Sequence, residues 1–208
     1  MNGVEVVYRD ESLIVLDKPS GLLAVPGRGP DLQDCLSARV QVVFPSALIV
    51  HRLDRDTSGL MVMALTVQAQ RELSRQFADR TTEKRYIAVV LGRPNVDSGK
   101  IDLPMRKDFD RPPRHRIDIE QGKAAETCWM VVERMEDRSR LQVRPLTGRS
   151  HQIRLHLATI GHPILGDKLY ASEAALAMAP RLLLHAEGLT LSHPVDGRRL
   201  TWTSVCPF

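Results

Sequence analysis

The densest chemistry in the chain lies at residues 51–60, His-Arg-Leu-Asp-Arg-Asp-Thr-Ser-Gly-Leu. Asp54 has an arginine on each side, Arg52 and Arg55, and the stretch runs straight into the apolar segment Leu60-Met61-Val62-Met63-Ala64-Leu65. Thr57-Ser58-Gly59 brings hydroxyls that can bond nearby backbone, then a residue free to take positive φ. One reading is a loop that presents Asp54 and then enters a central strand. The other is a salt-bridged surface turn, and the stretch alone leaves both open.

Other chemistries lack their residues. The seven histidines invite a metal, but His151 and His156 sit i, i+5, about 140° apart on a helix, and neither an HExxH pair nor a CxxC is present. Asp54-x-Asp56 is a thin carboxylate pair, so no metal site is expected. Ser58 lacks the flanking glycines of a nucleophile elbow. Ser150 beside His151 says nothing about geometry. Residues 26–31 (PGRGPD) lack the lysine and helix start of a phosphate-cradling loop.

What remains is Asp54, Tyr86 and the arginine pair Arg149 and Arg154. A carboxylate among guanidinium groups keeps its charge and can attack an electrophilic carbon or stabilise a cation. A tyrosine ring can stack on a base removed from its helix, and arginines can take up phosphate or pair with the aspartate. Together they suit chemistry on a flipped nucleotide with no metal and no cofactor. Each also has a plainer role: Tyr86 as a core aromatic, Arg154 as a helix-surface charge.

The elements that must position these groups follow from periodicity. Val4–Tyr8 and Leu13–Asp17 read as a hairpin split by Arg9–Ser12. Leu32–Phe44 has helical spacing and ends at Pro45. Leu60–Thr66 reads as a buried strand, and Val67–Arg80 as an amphipathic helix with Ala69, Leu73 and Phe77 on one face. Glu72 and Gln76 share another face, and Arg71 and Arg75 would line a basic edge. Lys84–Leu91 reads as a strand. Ala125–Met135 and Arg140–Leu146 read as a second hairpin. After Gly148 the stripe Ile153, Leu157, Ile160 predicts a helix that Gly161-His162-Pro163 stops. The tail offers a short helix near Glu173–Met178 and strands at Leu182–Leu191 and Arg199–Ser204. Strands outnumber helices and hairpins join them, which predicts an α+β fold with a mixed, largely antiparallel sheet.

Bulk properties narrow the class. At 208 residues, 43% hydrophobic and 26% charged, the chain fits a soluble single domain, 1–208. No apolar run approaches the ~20 residues of a membrane span. The N-terminus lacks the layout of a signal peptide, so a cytoplasmic location is expected. Cys35, Cys128 and Cys206 are too few and too scattered for a disulfide framework. The net charge of +4 and pI near 9.2 permit a polyanionic partner. Arginine makes up 23 of the 29 basic residues; it forks onto phosphate, though a GC-rich genome gives the same bias. Residues 105–116 (MRKDFDRPPRHR) hold five basic residues against two acidic ones and read as an exposed basic loop.

The segment HRLDRDTSG resembles the signature of the RluA family of pseudouridine synthases. In the same order along the chain, DKPSGLLAVPG (17–27), EKRYIA (83–88), LTGRSHQIRLH (146–156), GHPILGDKLY (161–170) and LLLHA (182–186) are similar to further motifs of that family. The resemblance implies that Asp54 is the catalytic aspartate, that Tyr86 stacks on the target uracil, and that Arg154 pairs with the catalytic carboxylate. It implies a base-flipping role for Arg52 and a pocket-lining role for Leu184, and leaves His51, His151 and His156 structural.

It further implies a curved mixed sheet flanked by helices with a central cleft, and an RNA partner. The short N-terminus resembles the compact branch without an S4 RNA-binding domain, whose targets are uridine 32 of the tRNA anticodon loop and a 23S rRNA hairpin-loop uridine. A monomer is expected. Arg149, Arg106, Lys107, Arg111, Arg114 and Arg116 are the candidate RNA contacts. The expected reaction breaks the N1–C1′ bond of a flipped uridine and rejoins the base through C5. Attack on C6, attack on C1′ and deprotonation of the ribose all remain open for Asp54. A non-catalytic RNA-binding or folding protein on the same scaffold, and an RNA N-glycosidase, are the alternatives.

Overall fold

In the computed structural model, which describes residues 3–208, the chain order begins β1 (Glu5–Arg9), β2 (Leu13–Lys18), α1 (Leu36–Gln41), β3 (Leu48–Ile49), β4 (Ser58–Ala64) and α2 (Val67–Ala78). It continues through β5 (Glu83–Leu91), β6 (Ser98–Asp102), β7 (Met105–Lys107), β8 (His115–Ile117), β9 (Glu126–Arg134) and β10 (Arg138–Pro145). It closes with α3 (Gln152–Thr159), α4 (Glu173–Ala177), β11 (Leu184–Ser192) and β12 (Arg199–Thr203). The chain divides into two compact units, one of residues up to Lys84 plus His185–Pro207, the other of Arg85–Leu184 with Phe208.

In the first unit β4 is buried along its whole length. That suits the unbroken apolar run of its sequence, since a strand covered on both faces needs no alternation. On one edge it pairs antiparallel with β2, Leu13 opposite Ala64 through Lys18 opposite Gly59. On the other edge β11 runs parallel to its start, His185 opposite Ser58, and β3 runs antiparallel along its end. β12 pairs antiparallel with β11, so the sheet is mixed. Gly59 is required where β4 meets β11: its φ is 110°, and a Cβ there would collide with the backbone of Ala186. α2 starts at a Thr66 cap whose hydroxyl accepts the Ala69 N–H at 3.1 Å. It lays Ala69, Leu73 and Phe77 on a core of Leu13, Val15, Leu60, Val62, Leu189 and Leu191.

In the second unit β5, β10, β9 and β6 form an antiparallel sheet in that order. α3 covers it with Ile153 and Leu157, which join Ala88, Val90, Leu141, Val143 and Trp129 in one core. The α+β class and mixed sheet expected from the residues are what the chain adopts. Three details differ. The first helix is shorter than Leu32–Phe44, because Cys35 takes extended backbone as its N-cap and the chain ahead of it is a 3-10 turn. β3 and β6 had no visible period, being two residues long and Gly-Lys-interrupted. The stretch 105–116 is not an open loop: Met105–Lys107 and His115–Ile117 pair as strands β7 and β8. Arg75 makes no basic edge either, since Glu72 and Asp79 bracket it at 2.7 and 3.1 Å.

His51 is packed into the first unit. Its ring stacks on Phe77 at 4.4 Å, and Nε2 accepts the Val62 N–H at 3.0 Å. Burial pushes this imidazole down to about 3, with the Lys84 charge acting the same way. A base whose folded pKa is lowered contributes no penalty above its unfolded value of about 6.5 and destabilises as pH falls from there towards about 3. Acid titration of unfolding free energy is thus expected to show a falling limb in that window, up to about 1.4 kcal/mol per pH unit from this group. His51→Gln, which keeps an acceptor for Val62, should flatten that limb.

Candidate active site

Asp54 sits at the head of a turn in the first unit, in which the Thr57 N–H donates to the Asp54 carbonyl at 3.2 Å. Sequence inspection saw this turn, but not what holds it. Lys18, with 0% exposure, ends β2 and donates from Nζ to the carbonyls of Pro19, Leu22 and Arg55 at 2.8, 2.8 and 3.0 Å. Ser20 Oγ donates to the Asp56 carbonyl at 2.7 Å. The Gly21 N–H donates to the Arg55 carbonyl at 2.9 Å, and Arg55 Nε returns a bond to the Gly21 carbonyl at 3.0 Å. A buried ammonium is tolerable only when its protons are all engaged. Here they clip the Asp17–Leu22 turn to the one that carries Asp54.

The downstream side of the turn is pinned as well. Thr57 and Ser58 are buried. Ser58 Oγ bonds His185 Nδ1 at 2.9 Å, and His185 Nε2 bonds Ser204 Oγ at 3.1 Å. Ser204 in turn donates to Asp17. Four side chains from β2, β4, β11 and the tail therefore close a hydrogen-bonded belt around the start of β4. His185 belongs to LLLHA and Asp17 to DKPSG, so two motifs that seemed remote from Asp54 act on its turn. Arg52 and Arg55 are exposed at the surface of this unit.

In the second unit Tyr86 lies on β5 opposite Val143 of β10, half-buried against the core that contains Leu184. Arg154, in the first turn of α3, is only 3% exposed. Nε and Nη2 grip Asp167 as a fork, at 2.8 and 2.6 Å. Asp167 also accepts the N–H groups of Leu169 and Tyr170 at 2.8 and 3.2 Å. The motif GHPILGDKLY thus contributes the carboxylate that aims the arginine, a partner not foreseen from the residues. Next to Asp167, Gly166 is required where the Arg181 backbone crosses: at φ 71° a Cβ would strike the Arg181 carbonyl.

α3 is anchored by polar groups as much as by its stripe. Gln152 Oε1 accepts from Thr147 Oγ1 at 2.7 Å and from the Arg149 N–H at 3.0 Å, while Nε2 donates to the Glu126 carbonyl at 2.9 Å. His156 is fully buried between Thr127 Oγ1 and the Leu103 carbonyl, and burial holds its imidazole below the ordinary range. Arg149 is exposed, its Nε on the Ala124 carbonyl.

The hairpin β7–β8 changes the reading of its five basic residues. Arg106 pairs with Asp118 at 2.5 Å and Arg111 with Asp108 at 2.9 Å. Arg116 lies 3.7 Å from Asp118 and 4.0 Å from Asp110. These three brace the hairpin, whereas among the described residues Lys107 and Arg114 stand outside these ion pairs. Phe109 at the tip is 77% exposed, an aromatic that residue-by-residue reading passed over. Among the described residues, no group of three or more His, Cys, Asp or Glu side chains is arranged to hold a metal ion.

Removing Asp167 would take the forked carboxylate away from a buried guanidinium. Asp167→Ala is expected to cost about 3–5 kcal/mol in denaturant unfolding. An apolar pair at 154 and 167 of matched volume should recover much of that loss.

Comparison with known proteins gives the family and its activity. The RNA pseudouridylate synthase family matches residues 12–159, which include Asp54, Tyr86 and Arg154. The dual-specificity RNA pseudouridine synthase RluA of Escherichia coli strain K12 is 48% identical over 204 residues, covering 98% of this chain and 93% of that protein. Its namesake in Haemophilus influenzae is 46% identical over 206 residues, 99% and 94% of the two chains. Among solved structures, human RNA pseudouridylate synthase domain containing 1 superposes with a TM-score of 0.83 at 28% identity, over 99% of this chain and 84% of that one. The chain therefore belongs to the RNA pseudouridylate synthase family and is an isomerase that converts uridine in RNA to pseudouridine.

Proposed function

We propose that this enzyme acts on uridines in RNA stem-loops, with two targets, the anticodon loop of tRNA at uridine 32 and a hairpin loop of 23S rRNA. The single observation that carries the catalytic part is an aspartate, Asp54, presented by a turn clamped on both sides by buried polar groups. Two targets are supported by the dual-specificity relatives, of which the chain covers more than nine-tenths. Loop uridines are the cheapest to flip because their stacking is already broken.

In this reading Asp54 starts the cleavage of N1–C1′, the freed uracil turns, and C5 bonds to C1′ as its hydrogen leaves to solvent. Arg154, aimed by Asp167, serves as a further catalytic residue. Tyr86 stacks on the uracil, Leu184 lines its pocket, and Arg52 fills the space of the flipped base. The family match crosses the boundary between the two units, which supports treating both as one catalytic domain. We take the enzyme to work as a monomer in the cytoplasm, where both RNAs are processed; no helix among the described residues is long and apolar enough to cross a membrane.

RNA contacts fall on the hairpin unevenly. Lys107 and Arg114 offer uncommitted charge to phosphates, Arg149 adds a third cation, and Phe109 offers a ring to an unstacked base. Arg106, Arg111 and Arg116 serve RNA indirectly by shaping the hairpin, because phosphate would have to displace their carboxylates.

Tritium release from RNA labelled at uracil C5 tests the reaction, since the new bond expels that hydrogen. Wild type should release tritium from tRNA and from the rRNA stem-loop, and Asp54→Asn from neither; release by both or by neither sinks the assignment. Free uracil in place of pseudouridine after digestion would mark a glycosidase.

For the hairpin, Lys107→Gln with Arg114→Gln should lower the slope of log affinity against log salt by about 2, or about 1 per contact. Phe109→Ala should weaken binding with the slope unchanged. An unaltered slope in the first variant would remove the hairpin from the interface.

A further inference from the structure

Tyr170, the last residue of GHPILGDKLY, joins several elements of the second unit. Its hydroxyl accepts the backbone N–H of His115 on β8 at 2.8 Å and bonds His151 Nδ1, at the head of α3, at 2.9 Å. Its ring lies beneath the Arg154 guanidinium, 5.4 Å from centroid to Cζ. Its own N–H reaches Asp167, the partner of that guanidinium. It also packs against the cluster of Met105, Ala125 and Leu155, as Ile117 does, so apolar contacts tie the hairpin to α3 at the same point.

These contacts divide by atom. The ring faces the arginine, and a cation over an aromatic face is attracted by its quadrupole. The hydroxyl faces the hairpin. A tyrosine that served only as filler would need neither a backbone donor from one element nor a guanidinium from another. His151 takes left-handed backbone, φ 58°, a conformation that a non-glycine residue adopts at some cost. Its bond to Tyr170 helps hold it there.

We propose that Tyr170 is a positioning residue that sets the RNA-binding hairpin and the site arginine from one side chain, the hydroxyl seating β8 and the ring seating Arg154. The inference rests on the reading that the hairpin contacts RNA and that Arg154 serves the reaction. It adds that the two are coupled: displacing one end of Tyr170 degrades binding, and displacing the other degrades turnover.

The test compares wild type, Tyr170→Phe and Tyr170→Leu in steady-state tritium release from a labelled RNA stem-loop, with amide hydrogen exchange on the same samples. Tyr170→Phe keeps the ring and loses one neutral hydrogen-bonding group. It should raise KM by about fivefold, leave kcat within about twofold, and speed exchange at the His115 amide. Tyr170→Leu keeps apolar bulk and loses the ring as well, and its kcat should fall by about tenfold or more. The split between KM and kcat is what a merely structural tyrosine would not produce. Equal losses of kcat in both variants, tracking their loss of thermal midpoint, would overturn the inference. So would a Phe variant with wild-type KM and an unchanged His115 amide. A wild-type enzyme that releases no tritium would bring down the underlying assignment instead, which separates the two failures.

Discussion

The buried fork between Arg154 and Asp167 is the interaction on which the order around α3 in the second unit depends. Two opposite charges taken out of water are expensive, and their attraction repays the cost only when geometry is good and the remaining lone pairs are filled. Both conditions hold. The fork is bidentate, Asp167 takes two further backbone N–H groups, and the neighbouring Gly166 leaves room for the Arg181 backbone to pack against the same turn. A guanidinium held this way has little rotational freedom left, because breaking the fork would leave a buried charge unsatisfied.

The first unit solves a similar problem by other means. Asp54 must project from a turn, and turns are where backbone is least constrained. Lys18 removes that freedom from below by engaging three carbonyls, one of them in the turn itself. The Ser58–His185–Ser204–Asp17 belt does so from the strand side. In both units a buried charge or polar chain, rather than apolar packing, supplies the directional constraint. Apolar contacts fill space without specifying orientation; hydrogen bonds specify it, because losing alignment leaves a buried group unsatisfied.

Charge tells a different story at the hairpin. The local excess of basic residues over 105–116 is real, yet Arg106, Arg111 and Arg116 are answered by carboxylates, among them Asp118, which lies beyond the counted segment. Net charge of a window thus overstated what is available to a polyanion. The same window hid a β-ladder, since strands of three residues show no period long enough to detect.

Much was legible in the residues alone. The long elements β4, α2, β5, β9, β10 and α3 showed in their apolar spacing, because period reports directly which face is buried. Asp54 stood out because a charged, hydroxyl-rich turn feeding a buried strand is an unusual juxtaposition, and the six ordered motifs pointed to the family. Those motifs did not say what each one does. That Lys18 and Ser20 brace the turn of Asp54, that Asp167 aims Arg154, and that His185 reaches Ser58 across 127 positions were decided only by tertiary structure. Hydrogen-bond partners far apart along the chain leave no periodic trace, and a side chain's role follows from the atoms folded against it.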